Sequence, residues 1–204
     1  DEKWEQVRTH PYYAKLREGV AKKAEEYLAT EPPRVKFSDI HLFATTGNRT
    51  IFQKVYEEYQ MRMEDYFFLY LVDRDEKYLE PLADIIWNIC DMESWSIPAH
   101  VSETLPIEER RRNLDLCSCI MGYRISEVIY FVGEKLPEQI MTIILDLIDN
   151  SVFKGGTSKK SMYLASFVGM GLFTNFVSSG MSFWFFMKGK ERIMQSVKSP
   201  SSTQ

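Results

Sequence analysis

Hydrophobic positions recur every three or four residues along most of the first 150 residues, which is the spacing of one face of an α-helix. The clearest stripe runs from Ile51 to Val72 and predicts a long helix with an unusually aromatic inner face. Pro81 fits the pattern only in or near the first turn of its helix. Weaker stripes predict helices over Tyr12–Thr30, Tyr78–Asp91 and Asn113–Val132 and from Pro137 onward, with a polar-flanked connector over Glu31–Asn48.

These helices predict an all-α fold. No segment before about residue 153 alternates strictly between apolar and polar positions, so few or no strands are expected there. The short connectors favour two antiparallel helical hairpins, one built from Ile51–Val72 with Tyr78–Asp91 and one that starts at Asn113. The pairs lack a tetratricopeptide-type or ankyrin-type consensus, and their rhythm suits a solenoid and a closed toroid equally.

The chain changes character after residue 153. We predict a helical domain over residues 1–153, an apolar segment over 154–187 that is uncharged from Ser161 and is a candidate for a further helix, and a flexible tail over 188–204. The run from Ser161 to Met187 has 27 residues without a formal charge, enough for the roughly 20 that span a bilayer. Its glycines and polar residues lower the hydrophobicity, so a membrane span is not expected.

Composition narrows the function classes. The 204 residues include 25 basic and 29 acidic side chains and carry a net charge of −4, which argues against nucleic acid as a partner. Cys90, Cys117 and Cys119 lack the paired spacing of a zinc site and are interpreted as buried thiols. We therefore expect no metal and no cofactor. No secretory signal is visible, which leaves a cytoplasmic protein or an exported one whose signal has been removed.

Two runs at the ends of predicted helices carry the candidate chemistry. Thr46–Arg49 precedes the aromatic helix, where Arg49 can present a planar charged fork to a carboxylate or sulfate. Trp95–His100 follows the next helix, and Pro98 stiffens the backbone that presents His100. The alternatives are an exposed arginine in a helix turn and a hydrogen-bonded structural histidine. His10 and His41 are expected to be surface or capping residues.

These runs resemble a known family. Thr46-Gly47-Asn48-Arg49, the segment from Tyr78 to Glu93 and above all Trp95-Ser96-Ile97-Pro98-Ala99-His100 look like the N-terminal helical domain of the heparinase II/III-like polysaccharide lyases. The resemblance covers about Phe37 to Phe153. It implies an incomplete α/α toroid, followed in the family by a β-sandwich, and the cleavage of uronic-acid-containing polysaccharides by β-elimination. The implied partner is an acidic polysaccharide.

Such an elimination needs a group that neutralises the uronate carboxylate, a base for the C5 proton and an acid for the leaving oxygen. By the resemblance, Arg49, Trp95 and His100 line the cleft as substrate-binding residues. Arg49 would counter acidic groups, Trp95 would supply a sugar-stacking face and His100 would donate a hydrogen bond. None of the three is assigned a catalytic role.

The chain departs from the family after the second hairpin. Phe183–Lys190 is similar to the family's aromatic run, but Glu191–Met194 stands where an Asn-Trp motif is expected, so the catalytic residues are unknown. We expect a truncated or divergent lyase fragment, inactive alone, with a changed reading frame after about Lys154 as one route to it. An incomplete toroid would expose apolar helix faces and promote self-association. The rivals are a non-catalytic helical scaffold that binds a polysaccharide or a protein, and a membrane-tethered helical protein.

Overall fold

The chain folds into helices throughout the part that the computed structural model describes, residues 2–148, with side chains from Trp4 onward. No strand occurs within these residues, so the predicted all-α class is confirmed for them. Three 3₁₀ turns, at Glu76–Tyr78, Pro98–His100 and Gly133–Lys135, join the helices. The helices are α1 Glu2–Thr9, α2 Pro11–Leu28, α3 Phe37–Thr46, α4 Thr50–Asp73, α5 Leu79–Cys90, α6 Ile107–Arg111, α7 Leu116–Val132 and α8 Glu138–Leu147.

Helices α4 and α5 form the predicted antiparallel hairpin. The aromatic stripe of α4 is buried, and an aliphatic face of α5 packs against α4. Pro81 is the third residue of α5, inside the first turn, where it interrupts no helical hydrogen bond. The buried residues of the two faces include Tyr56, Tyr59, Met63, Tyr66 and Tyr70 on α4 and Leu82, Ile85, Ile86 and Ile89 on α5.

The remaining helices pack around this hairpin. Helices α1 and α2 lie against α4, and α7 contacts α4 through a face that buries Met121, Ile125 and Ile129. Helix α8 packs mainly against α5, although the sequence pairs it with α7. The core is therefore centred on α4 and α5. Closure of the helices into a toroid stays a prediction.

A buried arginine joins α2 to α4. Arg62 is 3 % exposed, and its guanidinium donates to the carbonyl oxygens of Tyr27 and Thr30, both at 2.9 Å. It also donates to Glu58 Oε1 at 2.7 Å and lies 4.7 Å from the centre of the Tyr27 ring. Arg62 thus satisfies carbonyl groups that the C-terminus of α2 leaves without helical partners.

The prediction of a connector over Glu31–Asn48 is wrong, because α3 lies inside that segment. The Lys36 amide donates to Asp39 Oδ2 at 3.1 Å, which caps the start of the helix. Gly47 ends it in the left-handed region, at φ 73°. The helix is short and has no fully buried residue, so its hydrophobic pattern was too weak to stand out.

Helix α7 begins three residues later than predicted, since Asp115 caps it and Asn113 lies in the preceding connector. Within residues 2–148, Leu116–Lys135 is the one stretch long and apolar enough to cross a membrane, with a mean hydropathy of 1.2. More than half of that stretch is buried against other parts of the protein. The predicted segments 154–187 and 188–204 lie outside the described residues.

Candidate functional site

Three chain segments meet at one end of the helix bundle. Helix α4 starts there after Arg49, α5 ends there at Cys90, and α7 starts there at Leu116. Tyr56, near the start of α4, brings the segments together, since its hydroxyl shares one proton between the carbonyl oxygens of Trp95 and Cys117, each 3.0 Å away. Burial raises the pKa of the Tyr56 hydroxyl well above its usual range, so the group remains a neutral donor. The run Trp95–His100 is therefore anchored at this end.

Side-chain hydrogen bonds lock this run to the connector before α7. Ser94 Oγ donates to the Arg110 carbonyl at 3.0 Å, and Ser96 Oγ donates to the Asn113 carbonyl at 2.8 Å. The Asn113 amide donates in return to Ser96 Oγ at 3.0 Å and to the His100 carbonyl at 3.3 Å. The two connectors consequently form one ordered surface rather than two independent loops.

Trp95 lies beneath that surface. Its side chain belongs to the hydrophobic core, the residue is 4 % exposed, and its indole Nε1 donates to the Ile89 carbonyl at 3.0 Å. A ring buried in this way offers no open face to a sugar, so the stacking role expected for Trp95 does not fit the structure. Trp95 instead holds the connector onto the end of α5.

His100 sits in the 3₁₀ turn Pro98–His100, and its side chain is 42 % exposed. Its Nδ1 lies 2.7 Å from Oδ2 of Asp115, which is buried at the start of α7. Asp115 also caps α7, because its Oδ1 accepts from the Ser118 amide at 2.7 Å. One ring nitrogen of His100 therefore makes the hydrogen bond expected of a structural histidine, while the side chain as a whole remains partly exposed.

His100 lines a groove of about 670 Å³ between α3, the start of α4 and the connector from Met92 to Thr104. One wall is apolar and the other carries hydrogen-bonding groups, which suits a ligand with both an apolar face and polar edges. The apolar wall includes Val35, Phe37, Ile40, Phe43 and Phe52, and the polar wall includes His100, Ser102, Glu103 and Arg110.

Phe37 lines the groove and was not among the site residues predicted from the sequence, and His41, expected at the surface, lies against it. Phe37 is the first residue of α3 and is 77 % exposed, and its ring stacks on His41 with the ring centres 5.4 Å apart. His41 Nδ1 in turn lies 3.0 Å from Oε2 of Glu103, which lines the groove. An exposed aromatic ring held in a fixed orientation is a suitable stacking surface for a sugar ring. Phe37 was not predicted as a site residue because the helix that it begins, α3, was predicted to be a connector.

The charges that line the groove are largely paired. Arg110 Nε lies 2.6 Å from Glu93 Oε1, so this arginine is not a free anion site. Arg49 is exposed at the N-cap of α4 and forms no ion pair within the described residues. It belongs to the same end of the bundle but not to the lining of the groove. The structure therefore brings His100 into the groove wall, leaves Arg49 beside it and buries Trp95 below it.

The thiols near this end are poor nucleophiles. Burial raises the pKa of the Cys90 thiol to about 12. Burial, followed by the nearby Asp115 carboxylate, raises the pKa of the Cys117 thiol to about 11. Since the thiolate is the reactive form, cysteine-based covalent catalysis is disfavoured at these two positions. Within residues 2–148, no cluster of three His, Cys, Asp or Glu side chains has an arrangement that could hold a metal ion.

Comparison with known proteins adds no family assignment. A scan against protein-family models finds no match, and a search of curated proteins finds no significant match.

Proposed function

We propose that the chain is a helical fragment related to the heparinase II/III-like lyases, and that the end of the bundle carrying His100 and Arg49 binds a uronic-acid-containing polysaccharide. The observation that carries this proposal is the groove, because its lining combines an exposed aromatic ring with a partly exposed imidazole, at the end of the bundle where Arg49 forms no ion pair within residues 2–148. The proposal assigns binding to these residues and no catalytic step.

The chemistry of an acidic sugar matches the parts of the groove. A pyranose ring has an apolar face that can stack on Phe37, and its hydroxyl groups can bond to the imidazole of His100. The carboxylate or sulfate groups of the same chain would face Arg49, whose guanidinium matches such oxyanions. Phe37 thus takes over the stacking role that the resemblance gave to Trp95.

The test is binding of the full chain to heparin, hyaluronan and alginate, measured by titration calorimetry at low ionic strength. We expect Phe37→Ala and His100→Ala each to weaken binding roughly three- to tenfold. Arg49→Ala should weaken it by roughly two- to fivefold, with the effect shrinking as salt is added. Lys135→Ala is the matched control, because it removes an exposed positive charge at the opposite end of α7.

Absorbance of unsaturated uronate is followed in the same samples. Binding without product supports the fragment proposal, whereas product formation would place a full catalytic set within these 204 residues. Absence of binding to all three polysaccharides would refute it.

One observation favours a second function, a non-catalytic scaffold that binds a protein segment. The groove wall formed by α3 and Phe52 is mainly apolar, and its arginine is already paired with Glu93. A groove of this kind also accepts apolar side chains of a peptide. Equal binding of neutral and acidic polysaccharides, or of neither, would favour the scaffold.

A further inference from the structure

The contact between His100 and Asp115 determines which ring nitrogen of His100 carries a proton. Asp115 is 4 % exposed, and both of its carboxylate oxygens are engaged. Oδ1 accepts from the Ser118 amide at 2.7 Å, while Oδ2 accepts from the Ile97 amide at 3.4 Å and lies 2.7 Å from His100 Nδ1. An ionised carboxylate can only accept hydrogen bonds, so the proton in the last contact belongs to Nδ1 of the imidazole.

We propose that Asp115 is a positioning residue that holds neutral His100 in the Nδ1–H tautomer and so makes Nε2 a hydrogen-bond acceptor for a ligand hydroxyl at the groove wall. In a neutral imidazole only one ring nitrogen carries a proton, and the partner of that nitrogen decides which one it is. The resemblance implied that His100 donates a hydrogen bond to the ligand, whereas the contact with Asp115 makes its free nitrogen an acceptor.

The backbone around His100 fixes the direction of its ring. The His100 amide donates to the Ile97 carbonyl at 2.9 Å, and the Asn113 side chain donates to the His100 carbonyl at 3.3 Å. Pro98 adds a fixed φ angle to the same turn. With Nδ1 held by Asp115, Nε2 is the ring nitrogen that remains for a ligand in the groove.

An acceptor at Nε2 determines which group of the ligand can face His100. This consequence for the ligand rests on the proposed polysaccharide function. A lone pair on Nε2 attracts a hydroxyl proton and repels carboxylate oxygen atoms. A uronate would consequently place a hydroxyl group at His100 and its carboxylate toward Arg49. His100 would then select for the hydroxyl pattern of the sugar rather than for its charge.

The experiment is a nitrogen-15 NMR measurement of the histidine rings in the full chain at about pH 9, where imidazole side chains are neutral. His100→Gln identifies the signals of His100 among the three histidines. We expect a protonated, pyrrole-type Nδ1 and an unprotonated, pyridine-type Nε2 for His100. Asp115→Asn should shift the equilibrium toward the Nε2–H form, because an amide can donate to Nδ1.

Asp115→Asn keeps a good helix cap, so α7 should remain folded. Glu103→Gln is the matched control, since it changes the partner of His41 and should leave the His100 signals unchanged. An Nε2–H tautomer in the unmodified chain, or an unchanged His100 tautomer in folded Asp115→Asn, would overturn the proposal. The measurement on the unmodified chain decides the matter by itself should the variant not fold.

The NMR result is independent of polysaccharide binding. A confirmed tautomer in a chain that binds no polysaccharide would refute the proposed function and leave the role of Asp115 intact. An Nε2–H tautomer in a chain that binds polysaccharide would refute the role of Asp115 and leave the proposed function intact.

Discussion

Arg62 shows how one buried side chain can hold two helices in place. Its guanidinium contacts two carbonyl oxygens at the end of α2 and the Glu58 carboxylate on its own helix. A planar group with five donors suits this task, because it can serve carbonyl oxygens in several directions at once.

Replacement of Arg62 should destabilise the fold. Arg62→Ala removes one of the donors to the Tyr27 carbonyl, the guanidinium donor to the Thr30 carbonyl and the contact with the Tyr27 ring, so we expect the free energy of unfolding to fall by about 2–4 kcal/mol. Arg62→Lys should recover only part of this loss. Urea denaturation measures the effect, and exposed Arg111→Ala, expected within about 0.5 kcal/mol of the unmodified chain, is the control. An equal stability of Arg62→Ala and Arg111→Ala would contradict this interpretation.

The buried thiols should resist modification. With a pKa of about 12, roughly one Cys90 side chain in ten thousand is a thiolate at pH 8, and with a pKa of about 11 the fraction for Cys117 is roughly one in a thousand. Cys119 is fully buried, whereas Cys90 and Cys117 are partly buried. We expect an aromatic disulfide reagent to label the folded chain slowly and all three cysteines at once in denaturant. Rapid labelling of the native chain would show that these sites are open.

At the scale of the elements, the predictability of each helix follows the strength of its stripe. The aromatic stripe of α4 is long and deeply buried, and its limits were predicted to within one residue. Helix α3 was missed because it buries no residue completely. Arg62, Asp115 and Ser96 could not be found from spacing, since their partners lie 15 to 35 positions away in sequence.

The burial of Trp95 could not be predicted either, because it depends on contacts between segments. Its motif predicted a functional segment, and the structure places that segment at the groove, but the depth of the indole depends on how α5 and the connector pack together. The motif thus marked a segment that lines the groove, but the indole expected to stack on a sugar is buried. Phe37 carries the exposed ring because it begins a helix that the pattern did not reveal.

Two glycines in helical segments should respond to alanine in opposite directions. Gly47 ends α3 at φ 73°, where an added Cβ meets no neighbouring atom within 4 Å but strains the backbone, so Gly47→Ala should cost about 1 kcal/mol. Gly19 lies inside α2 with open space around it, and Gly19→Ala should stabilise the chain by about 0.5–1 kcal/mol. Thermal unfolding of both variants measures the difference. Shifts of the same sign would contradict the assignment.

At the scale of the whole molecule, some helices expose apolar side chains. Tyr12 and Leu16, one turn apart on α2, are 79 % and 57 % exposed. Exposed apolar groups of this kind favour association when they lie side by side. The uncovered faces of a partial toroid are expected on its last hairpins, whereas these side chains lie on α2, so the toroid stays a prediction.

We therefore expect the chain to self-associate as its concentration rises, with Leu16→Glu shifting the equilibrium toward the monomer. Sedimentation velocity over a hundredfold range of concentration measures the effect. Lys15→Glu is the control, because it alters the charge of the neighbouring exposed position without removing apolar surface. A monomer at all concentrations would show that the exposed residues of α2 do not drive contact between copies.

The hydrogen bonds between the two connectors at the groove have a consequence for the strength of binding. Loops that become ordered only when a ligand arrives lose conformational entropy at that moment, and this loss weakens the complex. The run from Ser94 to His100 is held by Asn113, Asp115 and Tyr56 in the chain without a ligand. A ligand that enters the groove would therefore meet a surface already in its binding shape, and more of the energy of each new contact would appear as affinity.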